Sequence, residues 1–258
     1  VAAAADADES AARPGAAEVV AAVAAVASAE DAVHLQRYFK TGPGEYGEGD
    51  VFVGVRVGPT RAVAKQFAEL SFDEVDMLLD SAVHEHRLVG LLILRGHFER
   101  ASRATRTHPR DDGIRQLVVD RYLAAVRRGR VNNWDLVDSS ADQILGQWLL
   151  DRPRGLLAEL VRSEVLWERR VGIISTFAFI QAGDASTTLE LAPLLLDDRH
   201  DLMHKAVGWM LREVGKRVDR LLLIGFLDEY AARMPRTALS YATEHLDAEQ
   251  RQHYRALR

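Results

Sequence analysis

From Pro59 onward, apolar residues return every three or four positions, and this periodicity restricts the chain to helices packed on helices. The segments 83–96, 114–127, 153–162, 167–182, 204–216 and 218–230 each keep the spacing, with Gly, Pro, Asn or Asp between them. A short pattern recurs inside these runs: Arg87-Leu88-Val89-Gly90, Arg169-Arg170-Val171-Gly172 and Lys205-Ala206-Val207-Gly208. Its glycines lie 82 and 36 residues apart, and the first gap is about two helical-pair repeats of roughly 40 residues. One such pair cannot bury its apolar face alone, so neighbours must stack and curve. The expected fold is all-α, a HEAT-like helical-repeat superhelix (α-solenoid). It would form a single domain over residues 16–258, after an Ala/Asp/Ser/Pro-rich tail at 1–15 read as disordered.

The N-terminal part is less regular. Residues 16–40 read as helix. Residues 41–50 contain Gly42, Pro43, Gly44, Gly47 and Gly49 and read as a loop. No Lys-Ser/Thr follows these glycines, which excludes a P-loop. Residues 51–57 have no partner strand in sight and are expected to be an extended connector.

The net charge of −5 argues against a nucleic-acid partner until its distribution is considered. Residues 1–33 carry six acids and one arginine, so the remainder is neutral, and within it residues 95–130 hold ten arginines against four acids. That segment is either a phosphate-binding surface or a solvated arginine-rich face. The absence of cysteine excludes disulfides and thiolate metal sites and fits a cytoplasmic location. The longest apolar run, 19–29, is alanine-rich and too short for a bilayer. The acids Asp6, Asp8 and Glu9 before it are unlike a secretory leader. No membrane partner is expected.

Three segments carry candidate chemistry. In 130–146, Asn132 or Asn133 can cap a helix whose Trp134 and Asp138 share a face, as a core tryptophan with a capping acid or as a functional pair. In 166–180, Arg169 and Arg170 open an apolar helix, and either could grip a carboxylate or phosphate. In 201–217, Lys205, Trp209, Arg212 and Lys216 fall on one helix face, which suits an anion beside something flat or cationic. His84-Glu85-His86 lacks the i,i+4 histidine spacing of a zinc protease and reads as a solvated helix start. The nine histidines show no ligand spacing, so no metal site and no cofactor is expected.

Together the stretches 37–56, 132–140, 166–175 and 204–217 resemble the AlkD-like DNA alkylation repair family, over roughly residues 34–258. The resemblance implies a concave basic face for duplex DNA, and a cleft of two tryptophans, an aspartate and an arginine. By motif match these are Trp134, Asp138 and Trp209, with Arg170 as the arginine and Arg169 as its rival. Tyr38 and Arg56 match DNA contacts of the N-terminal repeat, with Arg169, Lys205, Arg212 and Lys216 as further DNA-binding candidates. Pro59 stands one residue later than the proline usual after this connector, with Gly58 in its place. The implied activity is that of a monofunctional DNA glycosylase. It would hydrolyse the N-glycosidic bond of cationic 3- or 7-alkylpurines in double-stranded DNA and leave an abasic site, without flipping the base. No cofactor or obligate protein partner is implied, and a monomer suffices. The competing expectations are a non-catalytic HEAT-repeat protein that binds distorted duplex, and a protein-interaction scaffold.

Overall fold

The computed structural model describes residues 14–106 and 109–257. Nearly all of the tail expected over 1–15 lies outside the described residues. Among the described residues the fold is all-α, a helical-repeat stack whose one β contact is an isolated bridge between Val51 and Val83. The helices are α1 (Ala16–Ala25), α2 (Ala29–Gln36), α3 (Val57–Gln66), α4 (Phe72–Leu79), α5 (His84–Ser102), α6 (Asp112–Arg127) and α7 (Trp134–Asp138). A π-helical turn (Asp142–Gly146) follows, then α8 (Gly155–Leu160), α9 (Leu166–Ser175), α10 (Phe177–Gln181), α11 (Ser186–Leu191) and α12 (Asp201–Arg217). The stack ends with α13 (Arg220–Tyr230), α14 (Arg236–Ala242) and α15 (Ala248–Ala256). No described helix is long and apolar enough to cross a membrane.

One row of helices, α3, α5, α7, α9, α12 and α14, runs through the molecule, each touching the next. Helices α4, α8 and α13 back α5, α9 and α12, and α6 packs on α5. Apolar residues from Ala16 to Tyr254 join into one continuous core. The helix expected over 16–40 is two helices, because Ser28 leaves helical geometry and its Oγ accepts the Asp31 N–H (3.2 Å) to start α2. The run 167–182 likewise divides at Thr176. Residues 41–50 form turns, and 51–56 form the extended connector.

The repeat has a physical basis larger than its three-residue spacing. Ser81 Oγ accepts the Val83 N–H (3.1 Å), and Arg87 Nη1 donates back to the Ser81 carbonyl (2.9 Å). In the same register 82 residues later, Ser163 Oγ accepts the Val165 N–H (3.0 Å), and Arg169 Nη1 donates to the Ser163 carbonyl (3.0 Å). Each serine–arginine pair closes the turn into the second helix of a pair and satisfies backbone groups that the turn exposes. The glycine three residues on faces a neighbouring helix. At Gly208 a methyl group would collide with the Ala238 carbonyl oxygen and stand 2.6 Å from the Tyr241 Cβ, so α12 and α14 touch backbone to backbone. At Gly90 the nearest atoms are the flexible Leu78 and Leu79 side chains, at 3.2 Å and beyond.

Two expectations are corrected. His84, Glu85 and His86 are buried, not solvated. The connector is not paired in a sheet, so its amides need acceptors. Glu85 Oε1 takes the N–H groups of Val53, Gly54 and Val55 at 3.1, 2.8 and 3.2 Å. The arginine-rich stretch 95–130 is largely neutralised. Arg110 and Arg115 pair with Asp112, Arg121 with Asp73 and Asp76, and Arg128 and Arg130 with Asp80. Most of these carboxylates come from α4 and its C-terminal turn, outside the window whose charge was counted. Trp148 is buried, with the guanidinium groups of Arg152 and Arg115 3.5 and 5.1 Å from its ring.

Gly208→Ala is expected to lower the unfolding free energy by about 1–3 kcal/mol through overpacking. Gly90→Ala should cost less, because side chains there can yield and alanine favours the helix. Urea midpoints of the two variants check the ordering.

Candidate active site

Asp138 ends α7 and Arg170 sits in the second turn of α9. Their side chains meet as a fork: Nε donates to Oδ1 (2.9 Å) and Nη2 to Oδ2 (2.7 Å). Arg170 Nη1 donates to the Leu202 carbonyl at the start of α12 (2.5 Å), so the arginine ties α7, α9 and α12 at one point. The Arg170 side chain is 5% exposed, and that of Asp138 is 19% exposed. Burial pushes the Asp138 carboxyl above its ordinary value of 3.8, and the Arg170 cation opposes that rise.

The carboxylate opens into a cleft of about 480 Å³ lined by Tyr38, Tyr46, Trp134, Asp138, Arg170 and Trp209, among others. Arg37, Lys40, Lys205 and Arg212 also line it, so five cations face the two acids Asp138 and Asp201. Lys205 pairs with Asp201 (2.7 Å), and Arg212 with Glu244 and Glu213. Arg37 and Lys40 have no ion-pair partner among the described residues. Among these residues no group of His, Asp and Glu could hold a metal ion.

Each tryptophan is braced from behind. Trp209 packs on Phe177, with ring centroids 5.8 Å apart. Trp134 begins the short α7, whose N-cap is Asn133 rather than Asn132: Asn133 Oδ1 accepts the Trp134 N–H (2.9 Å). Its indole stacks on Phe39 (5.3 Å), Phe39 on Phe52 (4.8 Å), and Phe52 on the His84 ring (4.6 Å). The indole Nε1–H points to the Tyr38 carbonyl (3.4 Å).

His84 is 3% exposed and lies between two carboxylates, Asp135 (2.7 Å from Nε2) and Asp50 (3.4 Å from Nδ1). Asp50 also accepts from Arg87 (2.7 Å), Asn132 (3.2 Å) and Asn133 (3.2 Å). Burial alone would lower the His84 pKa, but the Asp135 and Asp50 carboxylates outweigh it and lift it from 6.5 to about 9. This charged knot fastens the end of the glycine-rich loop to α5 and to the turn before α7.

The candidates divide. Trp134, Asp138, Arg170 and Trp209 come together, with Tyr38 (61% exposed), Lys205 and Arg212 at the same cleft. Arg169 does not reach it. Its Nε pairs with Asp198 (2.6 Å), its Nη1 holds the Ser163–Glu164 turn, and it faces a separate depression beside Leu194. Consecutive helical residues point about 100° apart, and here Arg170 faces the cleft while Arg169 faces away from it. Lys216, two turns beyond Trp209, borders another hollow between α12, α13 and α14. Arg56 is held by Asp31 (2.7 Å) and lines a mostly apolar pocket behind Trp134. Arg37, Lys40, Tyr46, His200 and Tyr241 also line the cleft and were not singled out from the sequence. The two basic residues flanking two aromatics in Arg37-Tyr38-Phe39-Lys40 were the available signal for the first two.

The sequence model of the family described as DNA alkylation repair enzyme matches residues 19–246. No curated protein matches the chain. A solved structure described as a predicted DNA alkylation repair enzyme from Enterococcus faecalis superimposes with a TM-score of 0.66, over 86% of this chain and 97% of its own, at 17% identity. At that identity the likeness speaks for the fold alone.

The His84 knot generates a pH prediction. A histidine whose folded pKa is raised adds stability that is complete below the unfolded pKa and is lost as pH rises through the folded one. Unfolding free energy should therefore fall between pH 6.5 and about 9. His84→Gln should flatten that slope while lowering stability at pH 6.5. Urea titrations at intervals across this range measure both effects.

Proposed function

The chain belongs to the DNA alkylation repair enzyme family, and from that premise we propose that it is a glycosylase for cationic alkylated purines in duplex DNA. One observation carries the reading: the Asp138 carboxylate, gripped by Arg170, is open to a cleft whose other walls include Trp134 and Trp209.

A purine alkylated at ring nitrogen 3 or 7 already carries positive charge and leaves as a neutral molecule. Breaking its glycosidic bond shifts positive charge onto the deoxyribose. A fixed carboxylate beside that sugar stabilises the cation as it forms, an effect of about 3–4 kcal/mol for one well-placed group. The electron-rich indole faces favour the same charge, each by roughly 0.5–2 kcal/mol. Arg170 holds both carboxylate oxygens toward itself and leaves their remaining lone pairs for a water, which would bond to the sugar carbon as the glycosidic bond breaks and the neutral base leaves, pass its proton to the carboxylate and yield an abasic site. The cations at the rim, Arg37 and Lys40 with Lys205 and Arg212, suit the phosphates on either side of the damaged nucleotide. In this reading the cleft engages the sugar and phosphate while the lesion stays stacked in the duplex.

A non-catalytic binder of distorted DNA would share the fold and the cations. It would gain nothing from a half-buried carboxylate in a phosphate-binding cleft, because that anion repels the ligand.

Single-turnover release of 7-methylguanine from duplex DNA tests the proposal. Wild type should release the base, and Asp138→Asn should bind the duplex but lose about 100- to 1,000-fold in rate. Binding without release by wild type would leave the DNA-binder reading in its place. The pH profile supplies a further check. The raised Asp138 pKa places the acid limb of kcat/KM above 3.8, with activity lost as pH falls through it. Arg170→Gln removes the cation that opposes the rise, so its acid limb should move to still higher pH.

A further inference from the structure

A second cleft, of about 510 Å³, opens between α3 and α5. Its lining includes Arg61 and Lys65 from α3 and Arg95, Glu99 and Arg100 from α5. Ala64, Ala68 and Gly96 also line it, so the side chains between the charged residues are short. Arg95 pairs with Glu99 (2.6 Å), and Arg100 is held by Glu69 (3.4 Å) and the Ala68 carbonyl (2.6 Å). The side chains of Arg61 and Lys65 have no ion-pair or hydrogen-bond partner among the described residues. They are four residues apart and so share one helix face. The arginines of 95–130 are mostly matched to acids, which makes these two unmatched cations a departure from the rule of the surface around them.

The cleft shares α5 with the apolar pocket behind Trp134. His84 and Leu88 line the pocket behind Trp134, and Leu92, Arg95 and Glu99 line the second cleft. These five residues follow one another at steps of three or four along α5, so both hollows lie on the same face of that helix. Arg95 stands eleven residues beyond His84, about 16 Å along the axis.

We propose that Arg61 and Lys65, facing Arg95 across this cleft, bind the sugar-phosphate backbone of the duplex that flanks the nucleotide held at Trp134 and Asp138. The excess of cations over acids, the short side chains between them and the open shape suit a phosphodiester backbone, which needs charge and clearance rather than an apolar socket. The site rests on the reading of the protein as a DNA-acting enzyme, but it concerns undamaged flanking DNA and requires no excision.

The test is the affinity of the full chain for an undamaged 25-base-pair duplex, measured by fluorescence anisotropy across a series of KCl concentrations. Each neutralised phosphate contributes about 0.9 to the log–log salt slope. Arg61→Gln/Lys65→Gln should therefore flatten the slope by about 1.8 and weaken binding at low salt by at least tenfold. Arg61→Lys/Lys65→Arg, which keeps both charges, should retain the wild-type slope. A double-glutamine variant that melts like wild type yet keeps the wild-type slope would overturn the site. So would a charge-conserving swap that loses the slope to the same extent, since charge would then not be what matters. Base release is not read in this experiment, so a protein that shows the slope change but excises nothing keeps this site and loses the proposed reaction.

Discussion

The fork between Arg170 and Asp138 is the interaction on which the candidate site depends. A carboxylate this buried is costly unless it is paired, and a bidentate guanidinium is the partner that best matches its geometry. The same arginine reaches the Leu202 carbonyl, so the charge at the end of α7 is placed by α9 and tied to the start of α12. Breaking such a pair leaves an unmatched charge and costs about 3–5 kcal/mol. The site and the stacking of the helices that carry it are therefore linked.

Around this fork the protein holds its aromatic groups from behind rather than from the cleft side. Trp134 is the front member of a stack that passes through Phe39 and Phe52 to a histidine fixed between two carboxylates. The glycine-rich loop is thus part of the wall of the candidate site. Its Asp50 is bound to α5 and to the turn before α7, and its Tyr46 packs edge-on against Trp167 (5.7 Å). In the proposed reaction such bracing is an advantage, because an indole face that attracts a transient cation then need not be oriented as the charge forms.

Much of this was legible in the sequence, for physical reasons. The periodicity that buries one face of each helix is written in every repeat, so the all-α stack could be read directly. Trp134 and Asp138 four residues apart, and Lys205, Trp209 and Arg212 on one face, are local relations that helix geometry preserves. Relations between distant segments were not legible. Asp50, His84 and Asp135 are charged or titratable residues far apart in the chain, and each alone reads as solvated. The aspartates that neutralise the arginine-rich stretch lie mostly outside it. The choice between Arg169 and Arg170 was within reach. Arg169 occupies the same place in its repeat as Arg87, in a serine–arginine clasp repeated 82 residues apart, so its partner Arg170 is the one left over for the site.

The central claim is that a fixed anion favours cleavage because positive charge moves from the damaged base onto the sugar. Single-turnover release from two duplexes, one carrying cationic 7-methylguanine and one carrying neutral hypoxanthine, tests it most directly. The account predicts release of the cationic base and no detectable release of the neutral one, which would have to depart with negative charge. Comparable rates for the two would mean that the Asp138 carboxylate does not act in this way.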